Sequence, residues 1–219
     1  MLYMYDLALF DLDGTLTDSG IGIVNSVSFA LTHFGIRVND SRELNRFVGP
    51  PLWNSFREFY GFNDEQVSEA IEKYREYYNV KGIFENRLYD GITEILDGLA
   101  VSGMKLAVAT SKPTKYAKII LEHFEVSHYF DLILGSEMDG TRSDKGEIIG
   151  CVLDEMDAGR NMKAVMTGDR EHDIVGAIAQ NIDSIGVLWG YGDQAELEAA
   201  GAIKIISSTN ELQHIITGV

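Results

Sequence analysis

Four short segments carry the side chains that could do chemistry: Asp11-Leu12-Asp13-Gly14-Thr15, Thr110-Ser111-Lys112, Lys145, and Gly168-Asp169-Arg170-Glu171-His172-Asp173. From these segments four carboxylates, a hydroxyl and an ammonium could meet at one place. Carboxylates gathered at neutral pH repel one another unless a cation sits among them, and Mg²⁺ suits an all-oxygen donor set in octahedral geometry. These segments contain no Cys/His cluster, which leaves a thiolate zinc or iron–sulfur site without support. A metal framed by carboxylates, with a Lys and a hydroxyl opposite, is equipment for holding a phosphoryl group. Cations neutralise its oxygens while a carboxylate attacks in line. Asp11 and Asp13 are separated by one residue and leave the strand together, so the two can divide the labour, one attacking while the other moves protons. Gly14 permits a turn with positive φ directly after them, whose amides can face phosphate oxygens.

The elements that must position these side chains are legible from periodicity. Apolar, β-branched runs at Leu7–Phe10, Leu106–Ala109, Leu132–Leu134, Ala164–Met166, Ile185–Leu188 and Ile203–Ile206 read as strands buried on both faces. Helical stripes lie between them, including Ala117, Ile120, Leu121 and Phe124, and Ile148, Ile149, Val152, Leu153 and Met156. Alternating strand and helix predicts an α/β fold with a doubly wound parallel sheet, and the chemical segments fall where its strands end. Strand ends far apart in sequence converge on one crevice in such a sheet. From about Ser19 to Tyr78 the alternation stops and helical stripes follow one another, punctuated at Gly35, Gly49-Pro50-Pro51 and Gly61-Phe62-Asn63-Asp64. An insertion after the first strand would roof the crevice.

The ordered set Asp11-Leu12-Asp13-Gly14-Thr15-Leu16, Thr110-Ser111-Lys112-Pro113, Lys145 and Gly168-Asp169-x-x-x-Asp173 resembles the four motifs of the haloacid dehalogenase superfamily. Val48-Gly49-Pro50-Pro51-Leu52, Gly140-Thr141-Arg142-Ser143-Asp144-Lys145 and Gly186-Val187-Leu188-Trp189-Gly190-Tyr191-Gly192 further resemble its phosphoglycolate-phosphatase-like members. The resemblance implies a Rossmann-like core at residues 1–18 and 84–219, with an α-helical cap at 19–83. It implies a Mg²⁺-dependent phosphatase acting on a small phosphomonoester, phosphoglycolate-like or a nucleoside monophosphate. Asp11 would be the nucleophile that forms an aspartyl-phosphate, and Asp13 the acid and then the base. Thr110, Ser111 and Lys145 would bind the phosphoryl group. Mg²⁺ would be held by Asp11, the Asp13 backbone carbonyl, Asp169 and Asp173. Family members often carry Gly where this chain has Asn181, a residue that tolerates the left-handed conformation of a helix stop.

Composition narrows the field further. Lys and Arg number 18 against 34 Asp and Glu, a net charge of −16. That surplus opposes nucleic-acid polymers and anionic membrane surfaces as partners. No run of about 18 uninterrupted apolar residues exists for a membrane span. No Lys or Arg precedes Arg37 and acids interrupt the first apolar stretch, so the expected location is the cytoplasm. Cys151, the single cysteine, reads as a small buried hydrophobe. Arg46 reads as a solvated arginine, and His172 as a surface or supporting residue rather than a ligand. The expected partner is a small phosphorylated metabolite, with the chain a monomer or homodimer. Three rivals share parts of this chemistry. A phosphorylatable signalling receiver lacks both the helical insertion and the second Asp; a dehalogenase does without a leaving-group acid; a phosphomutase has the same motifs and is the alternative to hydrolysis.

Overall fold

The computed structural model describes residues 5–157 and 162–217. The chain runs β1 (Leu7–Phe10), β2 (Thr17–Asp18), α1 (Gly20–His33), α2 (Leu52–Tyr60), α3 (Asp64–Tyr78) and β3 (Arg87–Leu88). It continues through α4 (Ile92–Val101), β4 (Lys105–Pro113), α5 (Thr114–His123), β5 (Leu132–Ser136), α6 (Lys145–Glu155) and β6 (Ala164–Gly168). It ends with α7 (Glu171–Ala179), β7 (Asp183–Val187), α8 (Gln194–Ala200), β8 (Lys204–Ile206) and α9 (Thr209–Thr217).

Six strands form one sheet in the order β5-β4-β1-β6-β7-β8, and every pairing in it is parallel. Alternate residues feed two cores. Ala8, Phe10, Leu106, Val108 and Val165 pack on one face, whereas Leu7, Leu9, Ala107, Ala109 and Met166 pack on the other. This double burial is why the strands read as near-continuous apolar runs. The strand order reverses at β1, which lies between β4 and β6, so the crevice opens at the carboxyl ends of these three. The fold is the α/β parallel sheet that the alternation predicts.

Three local features depart from the sequence reading. Thr110-Ser111-Lys112, expected to follow β4, lie within it; the pairing with β5 slips between Thr110 and Pro113, the mark of a bulge. A two-stranded antiparallel ribbon, β2 with β3, pairs Thr17 with Leu88 and Asp18 with Arg87. Two-residue strands carry no periodicity to detect, yet this ribbon joins the two ends of the helical segment. Cys151 is half-buried at the edge of the second core rather than fully enclosed.

Between β2 and β3, α1 and α3 pack through Val24, Val27, Leu31, Val67, Ala70 and Ile71, in a cluster continuous with the Phe10 side of the sheet. Helix α3 starts at a capping box: Asn63 accepts from the Gln66 amide at 2.9 Å, and Gln66 accepts from the Asn63 amide at 3.0 Å. Phe47 packs edge-on against Phe56 and Phe59 at 5.1 and 5.2 Å between centroids. Such pairs add about 0.5–1.5 kcal/mol beyond the area they bury. No described helix is long and apolar enough to cross a membrane.

Candidate active site

Asp11 leaves β1, Asp169 leaves β6, and Asp173 sits in the first turn of α7. Each of the three offers one carboxylate oxygen, and these oxygens lie within 4.8 Å of one another. Lys145, the first residue of α6, reaches into the group. Its Nζ lies 2.8 Å from both Asp11 Oδ1 and Asp173 Oδ1 and donates to the Ala109 carbonyl at 3.1 Å. The two ion-pair distances are short, but the angles leave both carboxylate oxygens without an aligned donor. Asp144 places this lysine by capping α6, accepting from the Glu147 amide at 2.9 Å. The Thr110 hydroxyl bonds the Asp11 carboxylate from the neighbouring strand end.

Asp169 is fully buried and tightly held. Its Oδ2 accepts from the Tyr191 amide at 2.7 Å and its Oδ1 from the Thr15 hydroxyl at 3.4 Å. Asp173 Oδ2 accepts from the Arg170 amide at 3.1 Å, which closes the first turn of α7. Asn181, following that helix, takes φ 56°, the left-handed conformation expected of it.

Asp13 faces elsewhere. Its Oδ2 is 2.6 Å from Lys112 Nζ, both side chains are under 9% exposed, and its Oδ1 has no hydrogen-bond partner. The Asp13 side chain thus stands outside the carboxylate trio, leaving only its backbone carbonyl for the metal role expected of it. Lys112 is the functional residue that the sequence reading passed over, having assigned the site one ammonium, Lys145. The signal was its position two residues after Thr110, which on extended chain returns a side chain to the same face. Ser111 is directed differently from Thr110: its hydroxyl donates to the Ser143 carbonyl at 3.4 Å, away from the carboxylates. His172 is exposed, and Arg46 is exposed with its guanidinium 4.2 Å above the Phe59 ring.

The charge balance of this group calls for a cation. Among the described residues, Asp11, Asp13, Asp169 and Asp173 are buried with only Lys112 and Lys145 as buried cations beside them, so ionising all four carboxyls requires further positive charge. Burial pushes the Asp169 carboxyl up to about 8, with the Asp173 and Asp11 charges adding to it. Burial likewise raises Asp11 to about 6, although Lys145 pulls the other way. Lys145 is held well above its usual range because two carboxylates outweigh its desolvation. An all-oxygen donor set from three buried carboxylates, outnumbering the lysines beside it, fits a divalent hard cation such as Mg²⁺.

The helical segment lies over this crevice. A cleft runs between the two, with Asp13, Ser111 and Lys112 on the sheet side and Trp53, Tyr74 and Tyr78 on the helical side. Contacts across it include Arg75 donating to the Met138 carbonyl, Tyr116 to Asn79 Oδ1 at 2.7 Å, and Arg170 Nη1 to the Val48 carbonyl at 3.0 Å. At the ribbon, the Gly20 amide donates to the Tyr191 hydroxyl at 2.7 Å, and that hydroxyl donates to Asp18.

Known proteins are similar to this chain in sequence and fold. Residues 8–187 match the model of the haloacid dehalogenase-like hydrolases. A 5'-nucleotidase of Pseudomonas aeruginosa is 46% identical over 195 residues, covering 89% of this chain and 88% of that protein. The tyrosine-protein kinase PtkA of Mycobacterium tuberculosis is 43% identical over 188 residues, and the matched region spans 85% of this chain but only 63% of PtkA. The crystal structure of a predicted phosphatase from Clostridium acetobutylicum superimposes with a TM-score of 0.91 at 49% identity, over 95% of this chain and 96% of that one. The match to the family model runs through the strands that carry Asp11, Thr110 and Asp169, and this chain belongs to the haloacid dehalogenase-like hydrolases.

Proposed function

We propose that this protein is a Mg²⁺-dependent phosphatase that cleaves a small phosphomonoester through an aspartyl-phosphate on Asp11. One observation carries the reading: two aspartates of a single turn stand in different environments. Asp11 lies in the carboxylate trio beside Lys145 and Thr110, whereas Asp13 pairs with Lys112 at the cleft beneath the helices. Pairs of carboxyl groups with divided environments take divided roles.

In the first step the Asp11 carboxylate attacks phosphorus in line, and the bond from phosphorus to the leaving oxygen breaks as Asp13 gives that oxygen its proton. In the second, the Asp13 carboxylate takes a proton from water, which attacks phosphorus and releases inorganic phosphate and Asp11. Lys145 and Thr110 hold the phosphoryl oxygens, and Lys112 stabilises the charge on Asp13 once its proton is delivered. Mg²⁺ would be held by Asp11, Asp169 and Asp173, with the Asp13 carbonyl, and supplies the positive charge that lets an anionic ester approach a carboxylate. The segment 19–83 acts as a cap on the core formed by 1–18 and 84–219, with the β2–β3 ribbon as its hinge, and its closure excludes water from the cleft.

The 5'-nucleotidase relative supports a nucleoside monophosphate as the substrate, with a phosphoglycolate-like ester the other candidate. The test is phosphate release from phosphoglycolate, nucleoside monophosphates, sugar phosphates and an aryl phosphate, each with Mg²⁺ and with chelator. Chelator-sensitive release that disappears in Asp11→Asn is the expected result. Transfer of the phosphoryl group to an added sugar phosphate or tyrosine peptide, with no free phosphate, would replace hydrolysis by a mutase or kinase reaction.

A further inference from the structure

Two buried polar atoms at the junction of helices and sheet have no hydrogen-bond partner: Asp13 Oδ1 and the Tyr78 hydroxyl. Tyr78 is the last residue of α3 and 1% exposed. Its ring stacks on Tyr74 at 5.1 Å and meets Tyr116 edge-on at 5.3 Å between centroids, while Lys112 Nζ lies 5.1 Å from its own centroid. Tyr78, Asp13 and Lys112 line the same cleft. Tyr116, on that cleft too, spends its hydroxyl on Asn79, so its polar end is accounted for within the fold. The Tyr78 hydroxyl is not. A phenylalanine would fill the same space without burying an unpaired donor, so packing alone gives no reason for the oxygen.

We infer that Tyr78 is a substrate-contacting residue, its hydroxyl donating a hydrogen bond to the leaving-group oxygen that Asp13 protonates. This rests on the phosphatase reading and assigns the helical segment a direct part in the first step. Burial holds the Tyr78 phenol well above its usual range, so it keeps its proton at neutral pH and has one donor to give. Both orphaned atoms belong to residues that line this cleft, and a leaving-group oxygen bound there would supply the partner that each lacks. Asp13 supplies the proton that ends on the leaving oxygen, and Tyr78 retains its own. Its hydrogen bond strengthens as negative charge builds on that oxygen during cleavage, which is when a donor lowers the barrier.

The experiment compares Tyr78→Phe with the wild type on two esters, an alkyl phosphate with a basic leaving group and p-nitrophenyl phosphate, whose leaving group needs little protonation. The expected kcat/KM falls about 10-fold on the alkyl ester and less than about 3-fold on the aryl ester, the size of one hydrogen bond realised in one case. The urea midpoint should not fall, because an unpaired group has been removed. Tyr116→Phe is the control: it should lower the midpoint and leave the ratio of the two esters unchanged. Equal rates for Tyr78→Phe and wild type on both esters, or an equal loss on both together with a lowered midpoint, would overturn the assignment while leaving the phosphatase reading intact. A wild type that releases phosphate from neither ester would instead refute the phosphatase reading, and the role of Tyr78 with it.

Discussion

Replacing Gly14 by Ala adds one methyl group where the turn after Asp13 meets Asp169. Gly14 has φ +88°, a conformation that L residues adopt at a cost of about 1–2 kcal/mol. The new Cβ would lie 2.6 Å from Asp169 Oδ1 and nearer still to Oδ2, whereas ordinary contact begins at 3.4 Å, so the carboxylate must retreat by more than about 0.8 Å. Asp169 has nowhere to go without losing the Tyr191 amide bond at 2.7 Å that fixes it. Metal–ligand distances tolerate roughly ±0.2 Å, and a misplacement near 1 Å costs about 100-fold in rate. Gly14→Ala should therefore lose about 1–2 kcal/mol of stability from the backbone, about 100-fold in kcat/KM, and most of its affinity for Mg²⁺. The assay is phosphate release titrated with Mg²⁺, beside urea unfolding of the same preparation. A variant that keeps the wild-type Mg²⁺ half-saturation within about 2-fold, with only the stability loss, would refute the claim that Asp169 is fixed by close approach.

Three further outcomes follow from the geometry. Asp11→Asn should abolish trapping of a phosphorylated enzyme in acid-quenched samples. Asp13→Asn should slow turnover by about 100- to 10,000-fold, and retained phospho-enzyme in the Asp11 variant would contradict the division of labour. Lys112→Met leaves Asp13 buried without its cation and should cost about 3–5 kcal/mol in the urea midpoint analysis; restoration of that loss by the double variant Lys112→Met with Asp13→Asn checks the pairing. In metal-free protein, the Asp169 carboxyl is raised from its unfolded 3.8 to about 8, so between those pH values the folded state binds the extra proton. Its contribution is present below pH 4 and is lost as pH rises to 8. Wild-type stability should decline over that range relative to Asp169→Asn, and stabilisation by Mg²⁺ should grow; a flat difference would show that Asp169 titrates normally.

The sequence by itself determined the sheet. Runs such as Leu7–Phe10 and Ala164–Met166 are apolar on consecutive positions because both faces are buried, and that requirement is local enough to read in a single chain. It also determined which acids converge, because parallel strands deliver their carboxyl ends to one edge whatever the intervening helices do. Gly14 and Asn181 signalled their positive φ because both residue types tolerate the left-handed region and stand where a turn or a helix stop requires it. What only the tertiary structure decided was direction and pairing. Asp11 and Asp13 are equivalent in composition, and their separation into a cation-seeking trio and a lysine pair depends on Lys145 arriving from α6 and Lys112 from a bulge in β4. Ser111, between Thr110 and Lys112 in sequence, donates instead to the Ser143 carbonyl. The β2–β3 ribbon and the unpaired Tyr78 hydroxyl were equally invisible, since two-residue strands have no period and an orphaned donor is defined by what does not come near it. Periodicity records which face of an element is buried; the partner that buries it is supplied by residues far away in the chain, and so only by the fold.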